Sequence, residues 1–396
     1  LADRNGTLNA YIAWIADGAV EQVTFDNQHY DSLQVTPDGQ TFLIKYVRDQ
    51  ANIFSLEINP LFETKHTSDF GLQVLPEFSP DYRQMVFQTT STVKRANESI
   101  FLQTVGSRVA AEKLTSPGFS ARWSPKGDAI SFLRQAQGRF DLWTFDLSAR
   151  AEKLLQPDVT PSSFSPVPFH LGPPTVAWSP NGGSLIYVAK REGSRNLWQT
   201  AADGSWNKPL TNLTSPSATV FSPVWSFDGM RLAYLVAERE TPGMRVTYRL
   251  CVKHAETNQT LYESPRSLRM PGWLSGNTEI LLVKSMSSTL DLLQEVALIR
   301  LRLDRRQPLE LARFPRAYFD SFKLSPDGKQ LAFVTQENGN DNLIIFNLSD
   351  GKSRQMTDNR EATVLLSSLN WSPDQRYLYF SKQSQWHFVT RLEKKI

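Results

Sequence analysis

Cysteine is almost absent from this sequence, because its 396 residues contain only one, Cys251. One cysteine excludes an internal disulfide and any metal site built from several thiolates. It lies in the stretch RVTYRLCVK, which predicts a buried strand in which the thiol serves as a small apolar group. A chain so poor in cysteine suits a bacterial cytoplasm and a periplasm equally.

The sequence also lacks a long apolar run and an excess of charge. No stretch approaches the roughly 18 consecutive apolar residues of a transmembrane helix, so we predict no direct membrane span. The 43 lysines and arginines are scattered and balanced by 40 acidic residues, so we predict no nucleic-acid partner. The opening residues, LADRNGTLNA, lack a signal-peptide pattern. We expect a leader, an anchor or a further domain to precede Leu1 in the full gene product; an intracellular protein is the alternative.

The patterns of common catalytic and cofactor sites are missing as well. The five histidines include no pair at i and i+4 and no neighbouring cysteine, so no metal site of familiar spacing exists. The sequence contains neither a G-x-S-x-G elbow nor the phosphate-binding loops G-x-G-x-x-G and G-x-x-x-x-G-K-[ST]. We therefore predict no metal, no cofactor and no enzymatic activity.

What the sequence does contain is one phrase that recurs along its length. In most copies an apolar or aromatic residue closes a strand, and Pro with Asp or Asn and Gly then forms a tight turn. Neighbouring copies lie 43 to 55 residues apart, a period that suits propeller blades better than most helical repeats. The eight anchors are VTPDG at Val35, FSPDY at Phe78, WSPKG at Trp123, WSPNG at Trp178, WSFDG at Trp225, WLSGN at Trp273, LSPDG at Leu324 and WSPDQ at Trp371.

Strand patterns follow each anchor. Alternating stretches such as TFLIKYV, RLAYLVA and YLYFSK predict a second strand, stretches such as NIFSLEI and WHFVTRL predict a third, and several repeats add a fourth. The predicted fold class is therefore all-β: an eight-bladed β-propeller of four-stranded antiparallel blades, with residues 1–396 as a single domain. In this interpretation the anchor aromatics pack between blades and the Asp or Asn residues form turns.

The two ends of the chain suggest how the ring closes. Residues 11–25, YIAWIADGAVEQVTF, have the pattern of third and fourth strands without an anchor before them. The blade at Trp371 reaches only its third strand before the chain finishes. We predict that an N-terminal strand completes this last blade, since closure removes exposed sheet edges. A truncated ninth blade is the alternative.

The phrase WSPDG, followed by a strand of the LAF type and a third strand that ends in a Gly turn, resembles the TolB-type bacterial propeller repeat. The resemblance runs from about Ala10 to Leu392 and implies a propeller that serves as a partner-binding module, a sensor domain or a cover for a peptidase domain. TolB itself joins a six-bladed propeller to an N-terminal α/β domain. Eight anchors fill this chain and leave no room for that domain, so TolB's lipoprotein partner is not carried over.

The residue immediately before each anchor is predicted to line the central channel, because the strand that ends there runs beside the propeller axis. Packing between blades and simple solvation are the alternatives for these side chains. The candidate channel-lining residues are Gln34, Glu77, Arg122, Lys323 and Asn370.

A long insertion between the blades at Trp123 and Trp178 is the second candidate surface. It reads LQPDVTPSSFSPVPFHLGPPT from Leu155, and its prolines stiffen a loop that presents Phe164, Phe169 and His170. We predict that these three residues contact a protein partner. The alternative is a loop that folds over the ring without binding anything.

The function predicted from the sequence is a non-catalytic scaffold that binds a protein or a ligand. The chain is predicted to be the periplasmic or extracytoplasmic sensor or interaction domain of a larger bacterial protein, or a subunit of a membrane-associated complex; the cytoplasm is the alternative location. A protein partner is expected first, and a small ligand or peptide in the channel second. The alternative function is a channel-mouth hydrolase or lyase that acts on a sugar polymer or peptide. His, Arg and carboxylates clustered at the channel favour the enzyme, whereas an apolar rim beside the Leu155 insertion favours the binder.

Overall fold

A computed structural model describes residues 2–4, 7–9, 11–13, 18–22, 29–35, 41–67, 71–90, 98–107, 109–160, 175–239, 245–287, 291, 293–305, 307–360 and 364–393. Over these ranges every regular element is a β-strand, which confirms the predicted all-β class. No helix in the described part of the chain has the length and apolar character needed to cross a membrane.

The described strands form seven blades of four antiparallel strands each, three as separate sheets and four joined in pairs by short additional strand contacts. Blade 1 contains Gly71–Phe78, Gln84–Thr90, Ser99–Thr104 and Glu112–Thr115. Blade 2 contains Phe119–Trp123, Ala129–Ala136, Arg139–Asp146 and Ala151–Val159. Blade 3 contains Val176–Trp178, Ser184–Arg191, Ser194–Ala201 and Asn207–Pro209. Blade 4 contains Ala218–Trp225, Arg231–Arg239, Val246–His254 and Thr257–Ser264.

The remaining blades complete the ring. Blade 5 contains Leu268–Trp273, Glu279–Ser285, Leu293–Arg302 and Pro308–Tyr318. Blade 6 contains Lys323–Leu324, Gln330–Glu337, Asn340–Asn347 and Ser353–Gln355. Blade 7 takes strands from both ends of the chain: Val364–Trp371, Tyr377–Glu393, Thr41–Ile58 and Leu61–Lys65.

The prediction that an N-terminal strand closes the ring is confirmed, but the strand is Thr41–Ile58 and not residues 11–25. It pairs antiparallel with Tyr377–Glu393 along 17 residues. Tyr11–Ala13 pairs only with Val20–Gln22, and Ala2–Arg4 pairs with Thr7–Asn9. His29–Val35 pairs with the first part of Thr41–Ile58.

The predicted number of eight blades is not confirmed: the described strands form seven, because the first predicted repeat does not fold back on itself. Its second and third strands were expected to be separate, yet TFLIKYV and NIFSLEI lie in the single strand Thr41–Ile58. The connecting residues, RDQA, contain no Gly, Pro or Asn to reverse the chain. The same merger joins YLYFSK and WHFVTRL across QSQ in Tyr377–Glu393. Two uninterrupted strands therefore pair with each other where two hairpins were expected.

The repeated turn is held by its own side chains. In blade 1 the Ser79 hydroxyl donates to Asp81 Oδ1 at 2.6 Å and accepts from the backbone N–H of Gln84 at 2.9 Å. The equivalent serine–aspartate bonds recur at Ser226, Ser325 and Ser372. The hydrogen bond from Ser79, joined by one from the backbone of Arg83, lowers the pKa of the Asp81 carboxyl. These aspartates are therefore turn formers, as the sequence interpretation required.

The anchor tryptophans join neighbouring blades. The buried Trp123 donates its indole N–H to the carbonyl of Glu77 in the preceding blade at 2.9 Å. Trp273 and Trp371 do the same to Val224 and Lys323, at 3.0 Å and 2.9 Å. Each bond satisfies a backbone acceptor between blades while the ring fills the space between two sheets.

His66, which follows the outermost strand of blade 7, provides a pH-dependent prediction. Its ring contacts Tyr379 at a centroid distance of 5.6 Å and its Nε2 lies 2.8 Å from Ser55 Oγ. Burial lowers the pKa of His66 below the ordinary 6.5. The unfolded chain therefore takes up a proton that the folded chain resists, and stability falls as the pH drops below about 6.5.

We expect the urea midpoint of the wild-type protein to fall more steeply than that of His66→Gln between about pH 7 and pH 5. His254→Gln, which changes an exposed histidine, is the matched control and should follow the wild type. Parallel curves for the wild type and His66→Gln would show that His66 contributes nothing to acid sensitivity.

Candidate functional site

The first strands of all seven blades surround one axial cavity. Its volume is about 240 Å³, and every blade contributes to its lining, from Glu77 in blade 1 to Asn370 in blade 7. In each blade the first strand lies innermost, beside the propeller axis, so the residues at its end face the cavity. The cavity therefore collects side chains that are far apart in sequence.

β-Bulges shape the wall of this cavity. The register between the first and second strands shifts in blades 1, 2, 4, 5 and 7. Four of these bulges hold a non-glycine residue in the left-handed region, with φ between 50° and 56°: Leu75, Ser120, Ser222 and Ser368. Each such residue costs on the order of 1 kcal/mol, and strain of this kind is concentrated at functional sites in proteins. All four residues line the cavity.

Two of the sequence-predicted residues form an ion pair at the cavity wall. Arg122 Nη1 lies 3.0 Å from Glu77 Oε2, which joins blade 2 to blade 1. The other carboxylate oxygen, Glu77 Oε1, accepts the backbone N–H of Trp123 at 3.2 Å. Glu77 is thus fixed by two donors, and the guanidinium of Arg122 remains partly exposed beside it.

A second ion pair was not predicted from the sequence. Arg269 Nε is hydrogen-bonded to Asp320 Oδ1, and its guanidinium lies 4.6 Å from the ring centre of Phe319. All three residues line the cavity. Arg269 and Asp320 are each four positions before an anchor, whereas only the residue immediately before each anchor was considered. In blade 5 a β-bulge inserts one extra residue between Arg269 and Gly272, the residue immediately before the anchor. Arg269, which regular alternation would place on the opposite face of the strand, therefore lies on the same face as Gly272.

Lys323 completes the charged lining. Burial and the positive charge of Arg122 lower the pKa of its ammonium to about 8, against the opposing effect of Glu77 and Asp320. Among the described residues, none forms an ion pair or hydrogen bond with Lys323 Nζ, although its backbone carbonyl accepts the Trp371 indole at 2.9 Å. Lys323 is therefore a partly buried cation whose ammonium group has no anionic or hydrogen-bonding partner among the described residues.

The structure brings together four of the five candidate channel residues. Glu77, Arg122, Lys323 and Asn370 all line the cavity, and Asn370 Oδ1 accepts the backbone N–H of Trp371 at 3.0 Å. Gln34 lies in His29–Val35, which is not one of the seven innermost strands; its side chain is outside the described residues. The three loop candidates, Phe164, Phe169 and His170, also lie outside the described residues.

From the sequence, a cluster of His, Arg and carboxylates at the channel would indicate an enzyme, and an apolar rim beside the Leu155 insertion would indicate a binder. The structure shows part of each feature. The cavity holds arginines and carboxylates, but no histidine is among its lining residues. In the described part of the chain no three His, Cys, Asp or Glu side chains are placed to hold a metal ion. Near the Leu155 insertion, Leu154 on the outer strand of blade 2 exposes 42% of its surface, and Trp206, just before the outer strand of blade 3, exposes 43%.

A comparison with protein families agrees with this architecture. Residues 46–226 match the family described as the TolB beta propeller domain. This part of the chain, 46–226, therefore carries TolB-type propeller repeats. The match begins in the closing strand Thr41–Ile58 and ends just after the anchor Trp225. The TolB-type resemblance drawn from the recurring phrase is therefore confirmed.

A curated TolB homolog from Chlorobium luteolum is 27% identical over 175 residues, which cover 44% of this chain and 36% of that protein. The match thus spans about a third of the relative's length. The whole-protein activity and partners of TolB are not transferred by a match of this extent.

Solved structures extend the likeness to most of the chain. An oligogalacturonate lyase solved in complex with manganese superposes with a TM-score of 0.57 at 12% identity, covering 96% of this chain and 98% of that one. The propeller domain of the trilobed protease from Pyrococcus furiosus, described as having an open velcro topology, gives 0.55 at 13% identity, covering 83% and 96%. At such low identity the likeness shows the fold alone. In this chain, blade 7 contains strands from both the N-terminal and the C-terminal part of the sequence.

Proposed function

We propose that this chain is a non-catalytic binding module whose propeller, formed by residues 1–396 as one domain, holds a protein partner or a ligand at its axis. The observation that carries the proposal is the axial cavity, where three cationic and two anionic side chains from different blades meet. Such charges are costly to bury, and they are retained where they recognise something. A rigid seven-bladed frame keeps them in place before any ligand arrives.

The proposed location is the periplasm or another extracytoplasmic compartment, with the cytoplasm as the alternative. The TolB-type repeats support it, whereas the single cysteine suits either compartment. In this setting the chain serves as the sensor or interaction domain of a larger protein, or as a subunit of a membrane-associated complex.

Affinity capture from the native organism tests the binding function. The immobilised wild-type chain is expected to retain a stoichiometric partner, whereas Arg122→Ala, which breaks the pair with Glu77 in the cavity, should retain much less. Arg83→Ala is the matched control, because Arg83 is an exposed arginine whose side chain is 85% accessible and lies on the outside turn of blade 1. Failure of the wild-type bait to retain any stoichiometric partner counts against a protein-binding module.

The same capture distinguishes the axis from the insertion. Alanine at Phe164 and Phe169 removes the apolar groups predicted to contact a partner. Loss of capture with this double variant, while Arg122→Ala still binds, would place the contact on the loop. Unchanged capture would exclude these two side chains from the contact.

One specific observation favours the alternative enzyme. The axial cavity combines a lysine of lowered pKa with arginines and carboxylates, and such a lysine is suited to proton abstraction. An elimination assay with oligogalacturonate, followed by the ultraviolet absorbance of the new double bond, tests a lyase. Turnover that disappears in Lys323→Met would replace the binding proposal, and the absence of turnover agrees with it.

A further inference from the structure

The charges around the axial cavity are not fully matched. Its lining contains Arg122, Arg269 and Lys323 as cations, and Glu77 and Asp320 as anions. Each arginine is already paired with one of the carboxylates. One positive charge remains, and it belongs to the only cavity-lining lysine among the described residues.

The position of this charge suits the Lys323 ammonium to binding an anionic ligand. The Lys323 ammonium has no ion-pair partner in the described part of the chain, and it lies within the electrostatic field of Arg122, Glu77 and Asp320. A cation held in a partly buried, low-dielectric site gains more from a bound anion than an exposed one does. The residual charge of one also matches a monovalent anion better than a dianion.

The remaining walls are mostly apolar. Leu75, Val224, Met270, Phe322 and Leu369 come from five different blades and line the same cavity. A volume of about 240 Å³ is larger than the roughly 150 Å³ that accommodates a benzene ring in an engineered protein cavity. The space is therefore sufficient for one charged group with an apolar body about as large as a single amino-acid side chain.

Donors for a second ligand oxygen lie on the neighbouring blade. Asn370 uses its Oδ1 for the backbone of Trp371, which leaves its amide N–H groups to donate. Ser368 presents a hydroxyl at the bulge of the same strand. Carboxylates are commonly bound by such a combination of one cation and neutral donors.

We propose that the axial cavity binds a monovalent carboxylate with a short apolar body, which forms an ion pair with Lys323. This inference rests on the proposed binding function and specifies its ligand class. Two sources supply this chemistry, a free organic acid and the C-terminal carboxylate of a peptide.

Isothermal titration calorimetry on the full chain tests the proposal with four probes. N-acetyl-leucine carries the carboxylate and an apolar body, and N-acetyl-leucinamide is its neutral counterpart. The acid is expected to bind at least about tenfold more tightly than the amide, as charge-assisted bonds require. Isocaproate and acetyl-alanyl-leucine distinguish the sources, since tighter binding of the peptide indicates a chain end and tighter binding of isocaproate indicates a free acid.

Variants assign the effect to one side chain. Lys323→Met should weaken N-acetyl-leucine binding by about tenfold or more and leave binding of the amide unchanged. Lys329→Met is the matched control, because Lys329 lies on the exposed turn of the same blade with 71% of its side chain accessible. Thermal melting of each variant establishes that the fold is retained, and Lys323→Gln replaces Lys323→Met if the latter does not fold.

The pH dependence gives an independent readout. Since the pKa of Lys323 is lowered to about 8, affinity should fall as the pH rises through that value, where the free ammonium loses its proton. The charged groups around it are Arg122, Arg269, Glu77 and Asp320, and the affinity is measured between about pH 7 and pH 9.5. Lys323→Arg keeps its charge over this interval, so its affinity should remain constant.

The result that overturns the inference is also specific. Equal binding of acid and amide, equal binding of inorganic phosphate, or an unchanged affinity in Lys323→Met would each contradict the carboxylate assignment. If no probe binds while affinity capture retains a stoichiometric partner, the inference is wrong and the binding function stands. If neither binds, both are wrong.

Discussion

Replacing Trp273 by alanine is expected to lower the free energy of unfolding by about 4 kcal/mol, the largest effect anticipated for a single side chain in this propeller. Only 2% of Trp273 is exposed, and it belongs to the apolar cluster between blades 4 and 5 that includes Phe221, Leu250 and Leu282. Its indole also donates to Val224 O at 3.0 Å. Alanine leaves both a cavity and an unpaired carbonyl.

Chemical denaturation followed by fluorescence or circular dichroism measures the loss. Trp273→Phe retains most of the apolar volume and should cost about 1 to 2 kcal/mol, mainly for the lost bond to Val224. Trp206→Ala is the control, because Trp206 is 43% exposed just before an outer strand, and it should cost less than about 0.5 kcal/mol. A similar midpoint for Trp273→Ala and Trp206→Ala would refute the inter-blade role of the anchor tryptophan.

Asp341→Ala is expected to cost about 3 kcal/mol, because three donors converge on a carboxylate with no solvent exposure. Asp341 Oδ1 accepts the Tyr318 hydroxyl at 3.0 Å and the Gln336 amide at 3.2 Å. Asp341 Oδ2 accepts the backbone N–H of Leu366 at 2.9 Å. The last bond joins blade 6 to blade 7, so alanine leaves a buried N–H without an acceptor at the junction between these two blades.

Two milder substitutions measure how much the individual hydrogen bonds to Asp341 contribute to stability. Tyr318→Phe removes one donor and should cost about 1 kcal/mol, and Asp341→Asn keeps one acceptor oxygen and should lie between these values. Asp350→Ala is the control: this exposed turn residue accepts only the backbone of Lys352, and less than about 1 kcal/mol is expected. If Asp350→Ala destabilised the protein as much as Asp341→Ala, the buried bond to Leu366 would not be what secures the junction.

The blade architecture was predictable from the sequence because each blade repeats the same local chemistry. Seven of the eight anchors end an innermost strand, and the turn serines and aspartates bond as their spacing suggests. The exception is Val35, whose repeat lacks glycine, proline and asparagine between its second and third strands. The presence of an anchor is a local signal, whereas the number of blades depends on which strands pair. Local sequence patterns cannot predict the pairing between Thr41–Ile58 and Tyr377–Glu393, because these strands are far apart in the sequence.

Only some of the charged residues that line the cavity could be predicted from the sequence, for a related reason. Glu77, Arg122, Lys323 and Asn370 follow from the rule that the residue before an anchor faces the axis. Arg269 does not, since regular strand alternation places a residue four positions before the anchor on the other face, and Asp320 does not, since it lies in the turn before the strand Lys323–Leu324. Bulges break that alternation, and their positions lack the glycine that usually marks them, as at Ser120 and Ser222. The unmatched charge of Lys323 emerges only when all the blades are assembled.

Closure of blade 7 by strands from both ends of the chain has a consequence for biosynthesis. Arg376 and Glu57, which form an ion pair in this blade, are 319 positions apart. At a synthesis rate of about 5 to 20 residues per second, the segment containing Glu57 waits roughly 15 to 65 s for its partner strand to emerge. During that interval its edge is open to any neighbouring nascent chain. Because the same bonds are available between two molecules, a domain-swapped dimer is the expected misassembly product when many copies are translated side by side.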